Sequence, residues 1–183
     1  MVELKRHPLR SFRYCPVCGS SRFEIQNEKS KYCTDCGFEY YLNPSSAVAA
    51  FILNKQGEIL VTRRKLPPAK GSLDLPGGFC DIGETVEESV YREIKEETGL
   101  EITHMEYLFS RPNFYNFSNF KIPTLDAFFL CEVHDDTHMT AMDDVDECLW
   151  IAGKDIKPEL FGLNSVREGV LKFLEITSKN LKK

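Results

Sequence analysis

Runs of apolar residues separated by turn signals divide this chain into short strands and two helices. Ala47-Val48-Ala49-Ala50-Phe51-Ile52-Leu53 is an apolar strand, Asn54-Lys55-Gln56-Gly57 a turn, and Glu58 to Arg64 a second strand. A hairpin entering a mixed sheet is therefore expected. Further strands are predicted near Met105 to Ser110, over Thr124 to Val133, and at Cys148-Leu149-Trp150-Ile151, with a polar loop around Asp135 to Asp146. A closing helix capped by Asn164 or Ser165 carries Val166, Val170, Phe173 and Leu174 on one face. Near the N terminus, Arg22 to Gln26 and Phe38 to Tyr41 alternate as short strands, and Asn43-Pro44-Ser45 reads as a linker. These elements predict an α+β protein with helices packed on a mixed sheet.

One segment departs from this pattern. Thr85-Val86-Glu87-Glu88 is a capping box and Gly99 a left-handed stop, so a helix is predicted over about Val86 to Thr98. At 100° per residue, Val86, Val90 and Ile94 form a narrow apolar stripe, and Glu93 and Glu97 fall inside it or at its margin. Ionised carboxylates buried without partners are costly, so a cation is expected beside them. Glu96 lies at the edge of the face and Arg92 beyond it, a group suited to a hard divalent ion with oxygen ligands. A solvated acidic helix fits the run taken alone. What favours the site is Leu73-Asp74-Leu75-Pro76-Gly77-Gly78 just upstream, an apolar strand broken so that bare backbone meets the helix start.

Composition narrows the class. The chain has 183 residues and 42% hydrophobic content, enough for one full core and a small accessory module. A net charge of −5 argues against broad attraction to nucleic acid, and DNA is not expected as a partner. The first seven residues hold no apolar core of a signal peptide and no segment has the length to span a bilayer, so a cytoplasmic location without membrane association is expected. Of seven cysteines, four form Cys15-x-x-Cys18-Gly and Cys33-x-x-Cys36-Gly, the zinc-ribbon pattern of four thiolates for one tetrahedral ion. Disulfides and a redox pair are the alternatives, disfavoured by the missing secretion signal and by the doubled motif. The strands around these cysteines bury too little surface to fold without metal, so structural Zn2+ is expected. Cys80, Cys131 and Cys148 sit among apolar neighbours and read as core residues, as does Trp150.

The acidic segment resembles the signature of the Nudix hydrolases: Gly78, five residues, Glu84, seven residues, Arg92-Glu93-Ile94, one residue, Glu96-Glu97, one residue, Gly99-Leu100. The resemblance implies a Nudix α/β/α sandwich over residues 44–183, preceded by the zinc ribbon over 1–43. A ribbon ahead of such a domain is similar to the arrangement in NADH pyrophosphatases and some plant FAD and ADP-ribose pyrophosphatases. It implies hydrolysis, dependent on Mg2+ or Mn2+, of a diphosphate linkage in a nucleoside diphosphate derivative such as ADP-ribose, FAD or NADH, with release of a nucleoside monophosphate. By this resemblance Glu93 and Glu97 are the central metal ligands, Glu96 an additional one, and the Gly78 carbonyl a contributor from the loop. The base is Glu93 or a later acid, Arg92 orients a glutamate, and Glu84 supports that network. A further acid commonly comes from outside the box, for which Glu147 is the candidate; a merely solvated loop over Asp143 to Glu147 fits equally. Ribbon-bearing relatives are often dimers, which makes a homodimer a candidate assembly.

Outside the signature, Arg63 and Arg64 end a strand facing the glycine loop and suit phosphates, one of the two facing solvent. Ser110 to Phe120 holds four aromatics in a polar stretch read as irregular, where Phe114 and Tyr115 are candidates to stack a base; a loop covering the core is the alternative. The NADH pyrophosphatase signature in this region is only partly matched, by the serine, the first proline and an aromatic at Tyr115. His134 and His138 flank Asp135-Asp136-Thr137, read as a turn with both histidines at the surface. Two other functions compete: pyrophosphate release from nucleoside triphosphates, and a nucleotide-sensing module whose ribbon contacts RNA or protein.

Overall fold

The computed structural model of the chain describes residues 7–134 and 137–180. The first sheet is the small antiparallel one of β1 (Phe23–Asn27), β2 (Ser30–Cys33) and β3 (Glu39–Tyr41). Its own core is Phe23 with Cys15 and Cys33, and Phe38 packs against them.

The apolar strand predicted at Ala47 is β4 (Ser45–Ile52). From Ala47 onward it is apolar because both its faces become buried: Ala49 and Phe51 join one core, Val48, Ala50 and Ile52 the other. One edge of β4 pairs in parallel with β8 (Phe120–Val133), and β8 pairs antiparallel with β7 (Ile102–Phe117), so this sheet is mixed as expected. The other edge of β4 is taken by the glycine loop: Val48 N donates to Gly78 O at 2.8 Å and Ala50 N to Pro76 O at 2.9 Å, while Cys80 N donates to Ser46 O at 3.1 Å. This occupancy corrects the expected hairpin. The turn forms at Asn54 to Gly57, but only Leu53 and Ile59 bridge across it, and β5 (Glu58–Arg64) leaves for a second, antiparallel sheet between β6 (Leu73–Asp74) and β9 (Val145–Ala152).

The two helices cover opposite faces, giving the α/β/α order. α1 (Val86–Thr98) lays Val90 and Ile94 on Ile52, Leu60, Phe129 and Cys131. α2 (Asn164–Asn180) lays Val166, Val170 and Phe173 on Phe51, Val61 and Phe128, with the Phe173 and Phe51 rings stacked at 4.0 Å. Gly169 permits this approach, since a Cβ there would stand 2.4 Å from the Phe128 ring. Neither expected cap serves α2: the Ser165 hydroxyl is buried and donates to Asp126, and Asn164 reaches Glu168.

The stretch read as irregular between Ser110 and Phe120 is regular strand. β7 and β8 stay paired out to Phe117 and Phe120, and the chain turns on Ser118 and Asn119, both at positive φ. The alternation of polar and aromatic residues there is a strand period, with aromatics favoured on a pleated surface. The arm leans on the N-terminal module, where the rings of Phe12 and Phe120 meet edge to face at 5.5 Å. Among the described residues no helix is long and apolar enough to cross a membrane.

Candidate active site and cysteine centre

α1 begins with the predicted capping box, Thr85 Oγ1 accepting from Glu88 N at 3.2 Å and Glu88 Oε2 from Thr85 N at 2.8 Å, and stops on Gly99 at φ 74°. These ends set the rotation of the helix, and the rotation turns Glu93 and Glu97 inward. Glu97 is 6% exposed and accepts one hydrogen bond, from Gly77 N at 2.9 Å. Burial pushes its carboxyl well above the usual range, with Asp144 and Glu93 adding to the rise against the Gly77 amide. Glu93 is likewise raised by burial, opposed by Arg92.

Arg92 ties the acidic groups together. Its Nε and Nη2 donate to the two oxygens of Glu84 at 2.8 and 2.9 Å, and Nη1 donates to Glu93 at 2.8 Å and Glu96 at 3.0 Å. Nη2 also reaches Phe79 O at 3.0 Å, fixing the loop to the helix. The forked bonds from Arg92 hold the Glu84 carboxyl down at about 2.

The glycine loop comes close because it has no side chains to exclude. A Cβ on Gly77, at φ 143°, would stand 2.2 Å from Val48 O, and one on Gly78 would stand 2.5 Å from Glu93 Oε1. Gly78 O accepts from Val48 N, which leaves one lone pair for another partner.

A cavity of about 340 Å3 opens over this loop, bounded by Glu93 and Glu97 on one side and Arg64, Asn113, Tyr115 and Asp126 on another. Of the two arginines, Arg64 enters it, pairing with buried Asp74 at 2.6 Å and reaching Tyr115 Oη at 3.4 Å. Burial pushes the Asp74 carboxyl up and Arg64 pulls it back. Arg63 lies outside, on Glu147 at 3.0 Å and on Gly71 O. Tyr115 enters the cavity with its ring edge-on to Phe79 at 5.3 Å, while Phe114, one residue earlier on the strand, points to the other face and is 65% exposed.

Glu147 therefore sits on the outer side of β9, paired with Arg63, and does not line the cavity; Asp143 and Asp144 do. Their loop is held by backbone: Thr140 N donates to Thr98 O and Met142 N to Glu97 O, both at 3.0 Å, satisfying carbonyls that the end of α1 leaves open. The expected turn at Asp135-Asp136 lies outside the described residues; His138 is exposed, with Thr137 beside its ring.

Five acidic residues lining this cavity were not picked out from the sequence: Asp81, Asp143 and three more. Asp74, Asp126 and Asp144 face the cavity, Asp126 accepting from Thr124 at 2.5 Å, from Asn113 at 3.3 Å and from Ser165. The signal for two of them was present: Asp74 stands between Leu73 and Leu75, and Asp126 inside Leu125 to Leu130, carboxylates in strands bound for the core.

In the N-terminal module, Gly19 N returns to Cys15 O and Gly37 N to Cys33 O, both at 2.9 Å, forming two like knuckles. The four Sγ atoms of Cys15, Cys18, Cys33 and Cys36 lie within 4.8 Å of one another. Cys15–Cys36 and Cys18–Cys33 stand at 3.6 Å, far from the ~2.05 Å of a disulfide. That spacing approaches the roughly 3.8 Å edge of a thiolate tetrahedron with bonds of about 2.3 Å. Cys131, Cys80 and Cys148 pack in or against the core beneath α1, as expected.

Comparison with known proteins agrees with this geometry. The NUDIX domain model matches residues 43–172, well over half of the chain. The chain is 36% identical over 115 residues to a protein of Haemophilus influenzae (strain PittGG) named NAD-capped RNA hydrolase NudC, covering 61% of this chain and 42% of that one. It is 56% identical over 63 residues to an ADP-ribose pyrophosphatase of Methanocaldococcus jannaschii, covering 34% of this chain and 37% of that one. The chain thus spans about two fifths of the length of these relatives. A NUDIX hydrolase from Nitrosomonas europaea shares its fold with a TM-score of 0.68 at 19% identity, over 89% of this chain and 90% of that one. The chain belongs to the NUDIX domain family.

Proposed function

We propose that the protein is a Mg2+- or Mn2+-dependent hydrolase that splits the diphosphate linkage of a nucleoside diphosphate derivative such as ADP-ribose, FAD or NADH and releases a nucleoside monophosphate. The observation that carries this reading is the convergence of Glu93, Glu97 and the bare Gly78 backbone on one cavity wall, with Arg64 and Tyr115 facing them. The donor set fits a hard divalent ion. All its atoms are oxygens, two carboxylates are forced together under burial, and the loop leaves no side chain between them. Glu93, Glu97, Glu96 and the Gly78 carbonyl would hold it. Such an ion neutralises phosphoryl oxygens and makes a bound water more acidic.

The protein's own groups supply the rest. Arg92 fixes the direction of Glu93 and Glu96, braced in turn by Glu84. Glu97, with one amide donor, keeps lone pairs toward the cavity. Arg64, held by Asp74, presents a cation to the substrate phosphates, and the Tyr115 ring offers a wall to a base or sugar. Glu93 or Asp144 accepts the proton of the attacking water; Asp144 takes the part expected of Glu147 because it lies on the cavity. Names of relatives support the same chemistry, one acting on ADP-ribose and others on NAD-capped RNA. The four cysteines hold structural Zn2+ in this reading.

The test is AMP release from ADP-ribose, FAD and NADH with Mg2+, run beside Glu97→Gln and beside pyrophosphate release from nucleoside triphosphates. Turnover of at least one dinucleotide is expected, falling by orders of magnitude in the variant. Activity on triphosphates alone, or full activity of the variant, would overturn the reading.

A further inference from the structure

Behind the catalytic cavity lies a second and larger depression of about 1140 Å3, between the N-terminal module and the β7–β8 arm. Its character is opposite to that of the first. Among the described residues the catalytic cavity is lined by seven carboxylate side chains, whereas those lining the second include Arg10, Lys29 and Lys121 and no aspartate or glutamate. All three cations are exposed, in a chain whose net charge is −5. Aromatic rings accompany them: Phe114, 65% exposed, and Phe120 line the groove, and Phe117, 59% exposed, stands at the turn between them.

We propose that this groove binds single-stranded nucleic acid. Cations without competing carboxylates select phosphates, and exposed ring faces beside them select unpaired bases, which stack on any aromatic surface. A volume above the roughly 300–1,000 Å3 of small-molecule pockets suits a linear ligand. Cations and rings that line a concave surface receive a strand rather than enter a duplex, so the ligand is a single strand whose bases are splayed. The global negative charge forbids general attraction to polyanions and is compatible with a local cationic track.

The two cavities share a wall. Asn113 and Tyr115 face the catalytic cavity while Phe114 and Asn116 face the groove, alternate residues of one strand. The inference stands without the hydrolytic reading, because it rests on the groove alone and its test reads binding.

The experiment is fluorescence anisotropy of the full chain with labelled single strands of about 12 nucleotides, RNA and DNA side by side, against a duplex of the same sequence. Binding of at least one single strand in preference to the duplex is expected. Its affinity should fall between about 50 and 200 mM salt with a log–log slope near −2, from three phosphate contacts at about 0.7 each. Arg10→Glu with Lys121→Glu should weaken binding about tenfold or more and flatten that slope by ~1.4. Phe114→Ala should weaken it about tenfold with the slope unchanged. Near-UV circular dichroism unchanged from the parent shows that these surface variants fold. No binding of either single strand, affinity independent of salt, tighter binding of the duplex, or undiminished affinity in the folded charge-reversed variant would each overturn the proposal.

Discussion

Adding one methyl group at Gly78 should separate the chemistry of this protein from its stability. An alanine Cβ there would stand 2.5 Å from Glu93 Oε1, 2.7 Å from its Cδ and 2.8 Å from Oε2. The Gly78 backbone is one that alanine adopts, so the substitution acts only through this contact. Ordinary packing requires the carboxylate to withdraw by about 1 Å, and a misplacement of that size costs on the order of 10²-fold in rate, about 2.7 kcal/mol of barrier. Glu93 cannot simply swing aside, because Arg92 Nη1 holds Oε1 at 2.8 Å and Arg92 is itself fixed by Glu84 and Phe79 O. Gly77 is the control. Its φ of 143° and a Cβ 2.2 Å from Val48 O set alanine against backbone, where nothing flexible can move. Gly77→Ala should therefore cost about 3 kcal/mol or more of stability by strain and lost β4 contacts. AMP release with Mg2+ and urea unfolding should show Gly78→Ala about 100-fold slower with stability within ~1 kcal/mol of the parent. A Gly78→Ala protein within threefold of parental turnover, or as unstable as Gly77→Ala, would refute the reasoning.

The site should also answer a direct comparison of its outer acids: Asp144→Asn is expected to slow turnover about 10²-fold or more and Glu147→Gln less than twofold, read as kcat with Mg2+ saturating; the reverse order would return the role to Glu147. Acid unfolding reads the Arg92 network. The Glu84 carboxyl is depressed from 4.5 to about 2 in the folded chain, so its contribution to stability is complete above pH 4.5 and is lost as pH falls toward 2. The stability gap between the parent and Arg92→Ala should narrow across that window, and a gap constant with pH would contradict the pairing. Cys33→Ser should release the metal of the purified protein, measured by elemental analysis, and abolish the tertiary signal of the N-terminal module; a parent that folds without zinc would remove the metal from the account.

How much of this was legible in the sequence differs from element to element. α1 was, because capping box, apolar stripe and terminal glycine are local signals that agree, and the two misplaced glutamates followed from its period. The cysteine quartet was legible for the same reason: knuckle spacing is a local code. The split of β4 from β5 was not, since it depends on the Pro76–Cys80 loop occupying an edge that periodicity cannot assign. That Asp144 and not Glu147 lines the cavity was not legible, because a loop rich in aspartate carries no period. Its facing is decided by the docking of Thr140 and Met142 on α1, a long-range event. The aromatic stretch from Ser110 was read by composition as irregular when its alternation was that of a strand, and that alternation is what sends Tyr115 and Phe114 to different cavities.

The docking of the acidic loop on the end of α1 has a consequence for how this protein can change. The contacts are made by amide hydrogens of residues 140 and 142, so the identities of those side chains are free to drift. Loop length is not, because one residue inserted between position 142 and Asp144 would turn the carboxylate off the cavity. Proline is barred at either anchoring position, since it has no hydrogen to give. Among related chains the segment should therefore vary in letters and hold constant in count, a pattern that a search for invariant residues would pass over.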